Sequence, residues 1–185
     1  MSFTNPTALE KFAEKLVCFH AAQMYYKRHI KFIALNGDEN VLDFGCGGGS
    51  CSKLLLKQLN SDSKMTLLDT SKYWVDVAKR RFKNKSNITY YTEEIHNLNL
   101  KNESFDFINL TYVLHDIASN KHQKIVECFY KALKPNGKVG LWEPTKPHHG
   151  MQPEEIQRLF EKAGFTLEKH QIYRSSYDGL FVKRK

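Results

Sequence analysis

The chain has 185 residues, 41% of them hydrophobic and 26% charged, a composition typical of one soluble globular domain rather than of a fibrous or disordered protein. No apolar run reaches the ~20 residues of a membrane span, and the first residues lack the basic start and apolar core of a secretory signal, so we expect a cytoplasmic location. The net charge of +8 comes from scattered Lys and Arg residues, which favours a solvated surface over a nucleic-acid site.

The sequence predicts helices at the start of the chain and then an alternation of strands and helices. Residues 5–20 and 21–35 predict one or two helices, which precede a sheet and could cap its ligand end. From residue 40 onward, strand-like and helix-like runs alternate. Strands are predicted over 40–44, 64–69, 87–91, 104–113 and 139–143. Helices are predicted over 50–59, opened by Ser50, over 71–82, opened by Thr70 or Ser71, and over 121–133 and 153–165.

Two further strands, over 166–173 and 179–184, follow with no helix between them, and so short a connection forces an antiparallel hairpin. The sequence therefore predicts an α/β fold: a Rossmann-like, doubly wound sheet of seven strands, mostly parallel, with an antiparallel C-terminal hairpin strand. We expect a single domain over 1–185, with an N-terminal helical cap over 1–39 and a ligand-binding core over 40–185.

The most informative stretch is VLDFGCGGGS, residues 41–50, in which glycines follow a predicted strand. The dinucleotide fingerprint GxGxxG fails here, because Ser50 and Ser52 stand where its third glycine would fall. The pattern present is an acid followed by three alternate glycines: Asp43, Gly45, Gly47 and Gly49. A loop without side chains allows a ligand to approach the backbone closely.

This motif resembles that of the class I S-adenosylmethionine-dependent methyltransferases, and the resemblance extends from about Asn40 to the C-terminus. It is closest to the small-molecule branch, with its ubiquinone, menaquinone and arsenite methyltransferases. The resemblance implies S-adenosylmethionine as cofactor and S-adenosylhomocysteine as product. It places the backbone of Gly45, Cys46 and Gly47 against the amino acid and sulfonium of the cofactor, with Asp43 below the loop or reaching the cofactor's amino group through water.

The second acid, Asp69, ends the next predicted strand. A carboxylate there can accept two hydrogen bonds from ribose hydroxyls, which is the role that the resemblance implies. NAD-binding proteins use the same arrangement, and Asp69 could instead only cap the following helix. Thr70 comes next and could border the adenine.

Two further cofactor contacts are implied by the resemblance. Glu94 aligns with an acid that contacts the exocyclic amine of the adenine in the family. The backbone N–H of Ile95 aligns with one that contacts a ring nitrogen of the adenine. Because Glu93 precedes Glu94, the alignment of this segment with the family is open by one residue. After the fourth strand, Leu110 and Tyr112 would flank the cofactor.

His115 follows in NLTYVLHDI and is the candidate general base or substrate-orienting group, because the pKa of histidine lies near neutrality. A packing role is the alternative. For the acceptor pocket, candidate lining residues follow the fifth strand and candidate closing residues lie on the second N-terminal helix: Trp142, Glu143, His148 and His149, and Tyr25, Tyr26 and His29.

No metal site is expected. The four cysteines, Cys18, Cys46, Cys51 and Cys128, form no CxxC pair and are predicted to be reduced and structural. The pair His148 and His149 lacks an evident third ligand. An arsenic-binding cysteine set is disfavoured because Cys46 and Cys51 lie within or beside the glycine loop.

The sequence thus predicts methyl transfer to a small-molecule acceptor by in-line displacement at carbon. Three alternatives remain open: a cofactor-binding module without turnover, an NAD-dependent oxidoreductase, and an RNA methyltransferase, the last supported only by charge. Neither the acceptor nor the oligomeric state follows from the sequence.

Overall fold

The structure is a computed structural model that describes residues 21–147 and 149–184, and the side chains from Gln23 onward in the first range. The helix expected over 5–20, Cys18 and His148 lie outside the described residues.

Five α-helices and eight strands make up the described part of the chain. The helices are α1 (Ala21–Ile33), α2 (Ser52–Leu55), α3 (Lys72–Arg81), α4 (Ser119–Ala132) and α5 (Pro153–Lys162). The strands are β1 (Val41–Phe44), β2 (Met65–Leu68), β3 (Ile88–Tyr91), β4 (Phe105–Thr111), β5 (Leu133–Lys146), β6 (His149–Gly150), β7 (Phe165–Ile172) and β8 (Ser176–Lys183). Single 3₁₀ turns follow β3 (Ile95–Asn97) and β4 (Leu114–Asp116).

The main sheet has the strand order β3-β2-β1-β4-β5-β8-β7, and short β6 pairs with the end of β5. Strands β1 to β5 are parallel to one another, whereas β8 is antiparallel to both β5 and β7. The predicted seven-stranded, mostly parallel α/β sheet with one antiparallel strand from a C-terminal hairpin is therefore confirmed.

The core forms on both faces of the sheet because alternate residues of each strand point to opposite sides. On β1, Leu42 and Phe44 belong to the cluster that includes α4 and α5, while Val41 belongs to the cluster that includes α1 and α2. All four residues of β1 and of β2 are buried, as expected of parallel strands covered on both faces.

Helix α5 begins and ends where local sequence signals predict, whereas helix α2 does not. Helix α5 begins at Pro153 and is followed by Gly164 at φ +98°, the expected start and stop. Helix α2 is shorter than predicted and begins after Cys51 rather than Ser50. After Leu56 the backbone bonds tighten to i→i+3, and Asn60 N–H then donates to the carbonyl of Gly37. None of the helices in the described ranges combines the length and the apolar character of a membrane span.

Candidate active site

The predicted site residues gather at the carboxyl edge of the parallel strands. The glycine loop follows β1, Asp69 follows β2, the segment from Tyr112 to Asp116 follows β4, and Glu143 lies in the last part of β5. This edge is where open α/β sheets bind their ligands, because strand ends and the helix starts after them meet there.

The glycine loop is held against the neighbouring strand by its backbone. The N–H groups of Gly45 and Cys46 both donate to the carbonyl of Leu68, at 2.8 and 3.1 Å. Gly45 and Gly47 have φ values of +68° and +50°, where an L side chain is strained. A Cβ on Gly45 would lie 2.3 Å from Val113 Cγ2, whereas a Cβ on Gly47 would meet nothing within 4 Å. The space over Gly47 is therefore open to a ligand.

Asp69 ties this loop to the start of α3. Its two carboxylate oxygens accept hydrogen bonds from Gly47 N–H at 2.9 Å and Ser71 N–H at 2.8 Å. Burial raises the pKa of Asp69, although these two bonds act to lower it. Since each carboxylate oxygen can accept two bonds, Asp69 keeps capacity for further donors beside the open face of Gly47. Its contact with a ribose stays a prediction.

Asp43 lies fully buried below the loop, at the centre of a polar network. It accepts hydrogen bonds from Ser52 Oγ at 2.5 Å and from Asn109 Nδ2 at 2.7 Å. Burial raises the pKa of Asp43 to about 6, against the lowering effect of these two bonds and of His29. Both predicted roles of Asp43, fixing the loop and reaching the amino group of the cofactor through water, stay predictions.

His29 does not line a pocket, and this expectation is wrong. Its side chain is 0% exposed. Its Nδ1 lies 2.7 Å from Asp178 Oδ1 and its Nε2 lies 3.0 Å from Asn109 Oδ1. Both ring nitrogens therefore have a polar partner inside the core. His29 therefore extends the network from Asp43 through Asn109 to Asp178 on β8.

The residues expected around the adenine differ in their exposure. Thr70 is exposed, and Glu94 is only partly covered. Glu94 Oε1 accepts a hydrogen bond from Lys121 Nζ at 2.7 Å, which lowers the pKa of Glu94. Ile95 is 2% exposed, and the contact of its backbone with the adenine stays a prediction.

Leu110 is fully buried in the core with Phe44 and Leu114. Its side chain packs in the core, and the expected position of Leu110 beside the cofactor stays a prediction. Leu110 shares the core-facing side of β4 with Ile108, as period-2 alternation along a strand requires. Tyr112, two positions further on, is 41% exposed and keeps its expected place at the open edge.

His115 is fixed by Glu143, a pairing that the sequence did not reveal. Glu143 is 0% exposed and accepts the N–H groups of Val113 at 2.9 Å and Leu114 at 2.8 Å through Oε1. Its Oε2 lies 2.7 Å from His115 Nδ1. Burial alone lowers the pKa of His115, but the hydrogen bond and charge of Glu143 and the charge of Asp116 outweigh it, so the pKa is raised. Glu143 thus directs the Nε2 lone pair away from itself and makes it more basic.

The unbonded nitrogen of His115 lies among polar and aromatic groups. Its Nε2 is buried, has no hydrogen-bond partner among the described residues and lies 3.4 Å from Asp116 Oδ2. The imidazole of His149 lies 4.9 Å from that of His115, between ring centroids. Contrary to the expectation of no third ligand for His149, the ligand atoms of His115, Asp116 and His149 all lie within 4.8 Å of one another.

Aromatic rings form the wall beside His115. Tyr112 has a φ of +61°, a strained conformation for a non-glycine residue, and its ring centroid lies 4.6 Å from that of His115 and 5.4 Å from that of Trp142. Tyr25 stacks on Trp142 at 5.6 Å, and Tyr26 meets it edge-on at 6.0 Å. The expected proximity of α1 to Trp142 is thus observed. Trp142 Nε1 is buried without a hydrogen-bond partner in the described part of the chain.

The described cysteines are free thiols, as expected. Burial raises the pKa of both Cys46 and Cys51, so these thiols stay protonated. The network residues that sequence reasoning missed are Ser52, Asn109 and Asp178. A signal existed for one of them, because Asn109 interrupts the apolar run FINL of β4.

The chain is similar in sequence to known methyltransferases. Residues 41–137 match the family described as a methyltransferase domain. The chain is 24% identical over 124 residues to a demethylmenaquinone methyltransferase of Lactobacillus johnsonii, covering 65% of this chain and 50% of that protein. The chain spans between 38% and 60% of the length of the first curated relatives it matches.

Solved structures share the fold at low identity. The N-methyltransferase NodS from Bradyrhizobium japonicum, in complex with S-adenosylhomocysteine, superposes with a TM-score of 0.76 at 17% identity, covering 88% of this chain and 87% of that one. The [4+2]-cyclase SpnF superposes with a TM-score of 0.75 at 14% identity, covering 89% of this chain and 82% of that one.

Proposed function

Because the chain belongs to the methyltransferase domain family, we propose that it transfers a methyl group from S-adenosylmethionine to a small-molecule acceptor by in-line displacement. The observation that carries the proposal is the glycine loop, whose open face over Gly47 lies directly beside the partly satisfied carboxylate of Asp69. A close backbone approach and an adjacent acid fit a cationic sulfonium cofactor without a phosphate cradle.

The cofactor would be held by residues from four strand ends. We assign the backbone of Gly45, Cys46 and Gly47 to its amino acid and sulfonium part and Asp69 to its ribose. Asp43 acts beneath the loop, through Ser52, rather than by contact. Around the adenine we assign Thr70, Glu94 and the backbone of Ile95, and at the methyl-donor end Tyr112.

Alignment is the main task of this chain's residues, because S-adenosylmethionine supplies a methyl group that is already activated. The rings of Tyr112, Trp142 and Tyr25 offer an apolar wall to a flat acceptor, and the unpaired Trp142 N–H offers it one donor. The name of the menaquinone relative agrees with an acceptor of this shape. We assign His115 to activation of the acceptor through Nε2: an acceptor that must lose a proton gives it to this nitrogen.

A second candidate is cofactor binding without methyl transfer. The fold is shared with a protein named as a cyclase, so the fold alone does not specify methyl transfer. The wall of aromatic rings beside His115 would then bind a substrate for another reaction.

Release of S-adenosylhomocysteine tests the proposal. The chain is incubated with S-adenosylmethionine and a panel of hydroquinone, phenol, amine and thiol acceptors. We expect acceptor-dependent product release that is saturable in at least one class. Tight cofactor binding without release from any class would favour the second candidate instead.

A further inference from the structure

The nitrogen of His115 that Glu143 leaves free is part of a cluster with the composition of a metal site. We propose that His115, Asp116 and His149 bind one divalent transition-metal ion beside the ring of Tyr112, at the carboxyl edge of the sheet. The proposal concerns binding by this chain and stands on the positions of the three side chains.

The ligand atoms are already close to the spacing that an ion requires. His115 Nε2 and Asp116 Oδ2 are 3.4 Å apart, and two ligands of a tetrahedral Zn²⁺ with bonds of about 2.0–2.1 Å are about 3.4 Å apart. All three ligand atoms lie within 4.8 Å of one another. His149 is exposed, so a small rotation of its ring brings its nitrogen to the ion.

His115 has the support that metal-binding histidines usually have. A ligating imidazole commonly donates its second N–H to a carboxylate, which fixes the ring and its tautomer. Glu143 accepts from Nδ1 of His115 at 2.7 Å and is itself held by the N–H groups of Val113 and Leu114. The side chain of His115 is 1% exposed and its Nε2 has no hydrogen-bond partner among the described residues. A buried polar atom without a partner is costly, and an ion would satisfy it.

The other two ligands come from defined backbone positions. Asp116 ends the 3₁₀ turn that Glu143 caps. His149 is placed by β6, where it pairs with Lys146 of β5. Tyr112 Oη lies 3.3 Å from His149 Nε2, within hydrogen-bonding distance of the cluster.

The ligand set selects the class of ion. Two imidazoles and one carboxylate suit Zn²⁺, Fe²⁺, Co²⁺ or Ni²⁺ better than Mg²⁺ or Ca²⁺, which prefer oxygen ligands. Three protein ligands leave a coordination position open, as in catalytic rather than structural zinc sites. A hydroxyl or thiol bound there would have a lowered pKa and would lose its proton to solvent.

This role for the ion rests on the proposed function, whereas its binding does not. One nitrogen cannot hold a metal ion and accept a proton at the same time. With an ion bound, His115 therefore activates the acceptor as a ligand, and the direct proton transfer assigned above applies to the metal-free chain.

Equilibrium dialysis of the full chain against Zn²⁺, with metal content measured by mass spectrometry, tests the site without cofactor or acceptor. We expect one ion per chain, bound at least 100-fold more weakly by His149→Ala and by His115→Ala. Glu143→Gln should weaken binding about 10- to 100-fold through loss of ligand orientation. The matched control is His170→Ala, an exposed histidine outside the cluster, which should bind as the wild type does.

Co²⁺ provides a second readout, because the intensity of its visible spectrum reports coordination number and its charge-transfer bands report sulfur ligands. We expect a spectrum without thiolate bands that is lost in His149→Ala. Absence of stoichiometric binding, or binding and a spectrum unchanged in His149→Ala, would overturn the site. Neither result bears on methyl transfer, which the release of S-adenosylhomocysteine measures separately.

Discussion

Two buried histidines, His29 and His115, have the same environment at one ring nitrogen and different environments at the other. Each places Nδ1 2.7 Å from a buried carboxylate, Asp178 for His29 and Glu143 for His115. The Nε2 of His29 is bonded to Asn109, whereas the Nε2 of His115 has no hydrogen-bond partner in the described part of the chain.

The difference separates a structural role from a chemical one. A histidine with both nitrogens occupied holds its neighbours in place and has nothing left to offer a ligand. A histidine whose ring is held by a hydrogen bond at one nitrogen, and whose other nitrogen has no partner, can bind a proton, a substrate atom or an ion at that second nitrogen. The residue type alone does not distinguish the two roles. They differ in whether the second ring nitrogen, Nε2, has a hydrogen-bond partner.

Loss of His29 should have the largest effect on stability. In His29→Ala, the amide oxygen of Asn109 loses its partner at Nε2, and the carboxylate of Asp178 keeps Arg28, 3.6 Å away, but loses its 2.7 Å partner. Leaving a buried polar group without its hydrogen bond costs about 1–3 kcal/mol for each group. Urea unfolding followed by circular dichroism should show this decrease in the free energy of unfolding, while His170→Ala on the surface should stay within about 0.5 kcal/mol of wild type. A stable His29→Ala variant would mean that the network contributes little to folding.

The network should also make stability depend on pH through Asp43. Its folded pKa of about 6 lies above the usual value of 3.8, so the folded state binds this proton more tightly than the unfolded chain does. The resulting stabilisation is complete below the unfolded pKa and is lost as the pH rises through 6. A shift of this size corresponds to about 3 kcal/mol.

Comparison with Asp43→Asn isolates this contribution. The stability of the wild type relative to Asp43→Asn should rise as the pH falls from 8 to 4, by at most that amount. The same comparison with Asp62→Asn, an exposed position, should give no such trend. A wild-type advantage that grows with rising pH would show that Asp43 is stabilised in its charged form.

Loss of His115 should affect turnover rather than stability. Glu143 keeps its two backbone donors in His115→Ala, so the fold should persist. Turnover should fall about 100-fold or more, the usual contribution of a positioned acid–base or ligand group. Cofactor affinity from calorimetry should stay near that of the wild type. If turnover and affinity fell together, His115 would belong with His29 as a packing residue.

Much of the fold follows from local signals in the sequence. Apolar runs ending in an acid predict β1 and β2, and Pro153 with Gly164 delimits α5. The length of α2 did not follow, because i→i+3 bonding and the contact of Asn60 with Gly37 end it early. Such contacts join distant segments and leave no local pattern.

The places of the glycine loop and of Asp69 at the carboxyl edge of the sheet were predictable, because each follows a strand that the local sequence pattern predicts. Their contacts with a cofactor stay predictions. The burial of His29 and of Leu110 was not predictable, because it depends on which way each side chain points once the helices and strands have packed. Glu143 is an intermediate case: its place at the edge was foreseen, but its bond to His115 required knowledge of how β4 and β5 align.

The central claim is that the glycine loop and Asp69 bind S-adenosylmethionine, and calorimetric titration tests it most directly. S-adenosylmethionine and NAD⁺ are titrated separately into the wild type, Asp69→Ala and Gly47→Val. We predict one S-adenosylmethionine site in the wild type, weakened about 100-fold or more in Asp69→Ala by the loss of two charge-assisted hydrogen bonds. Gly47→Val should abolish binding by filling the space over the loop, and NAD⁺ should not bind. Binding of NAD⁺ without S-adenosylmethionine, or unchanged affinity in both variants, would contradict the account.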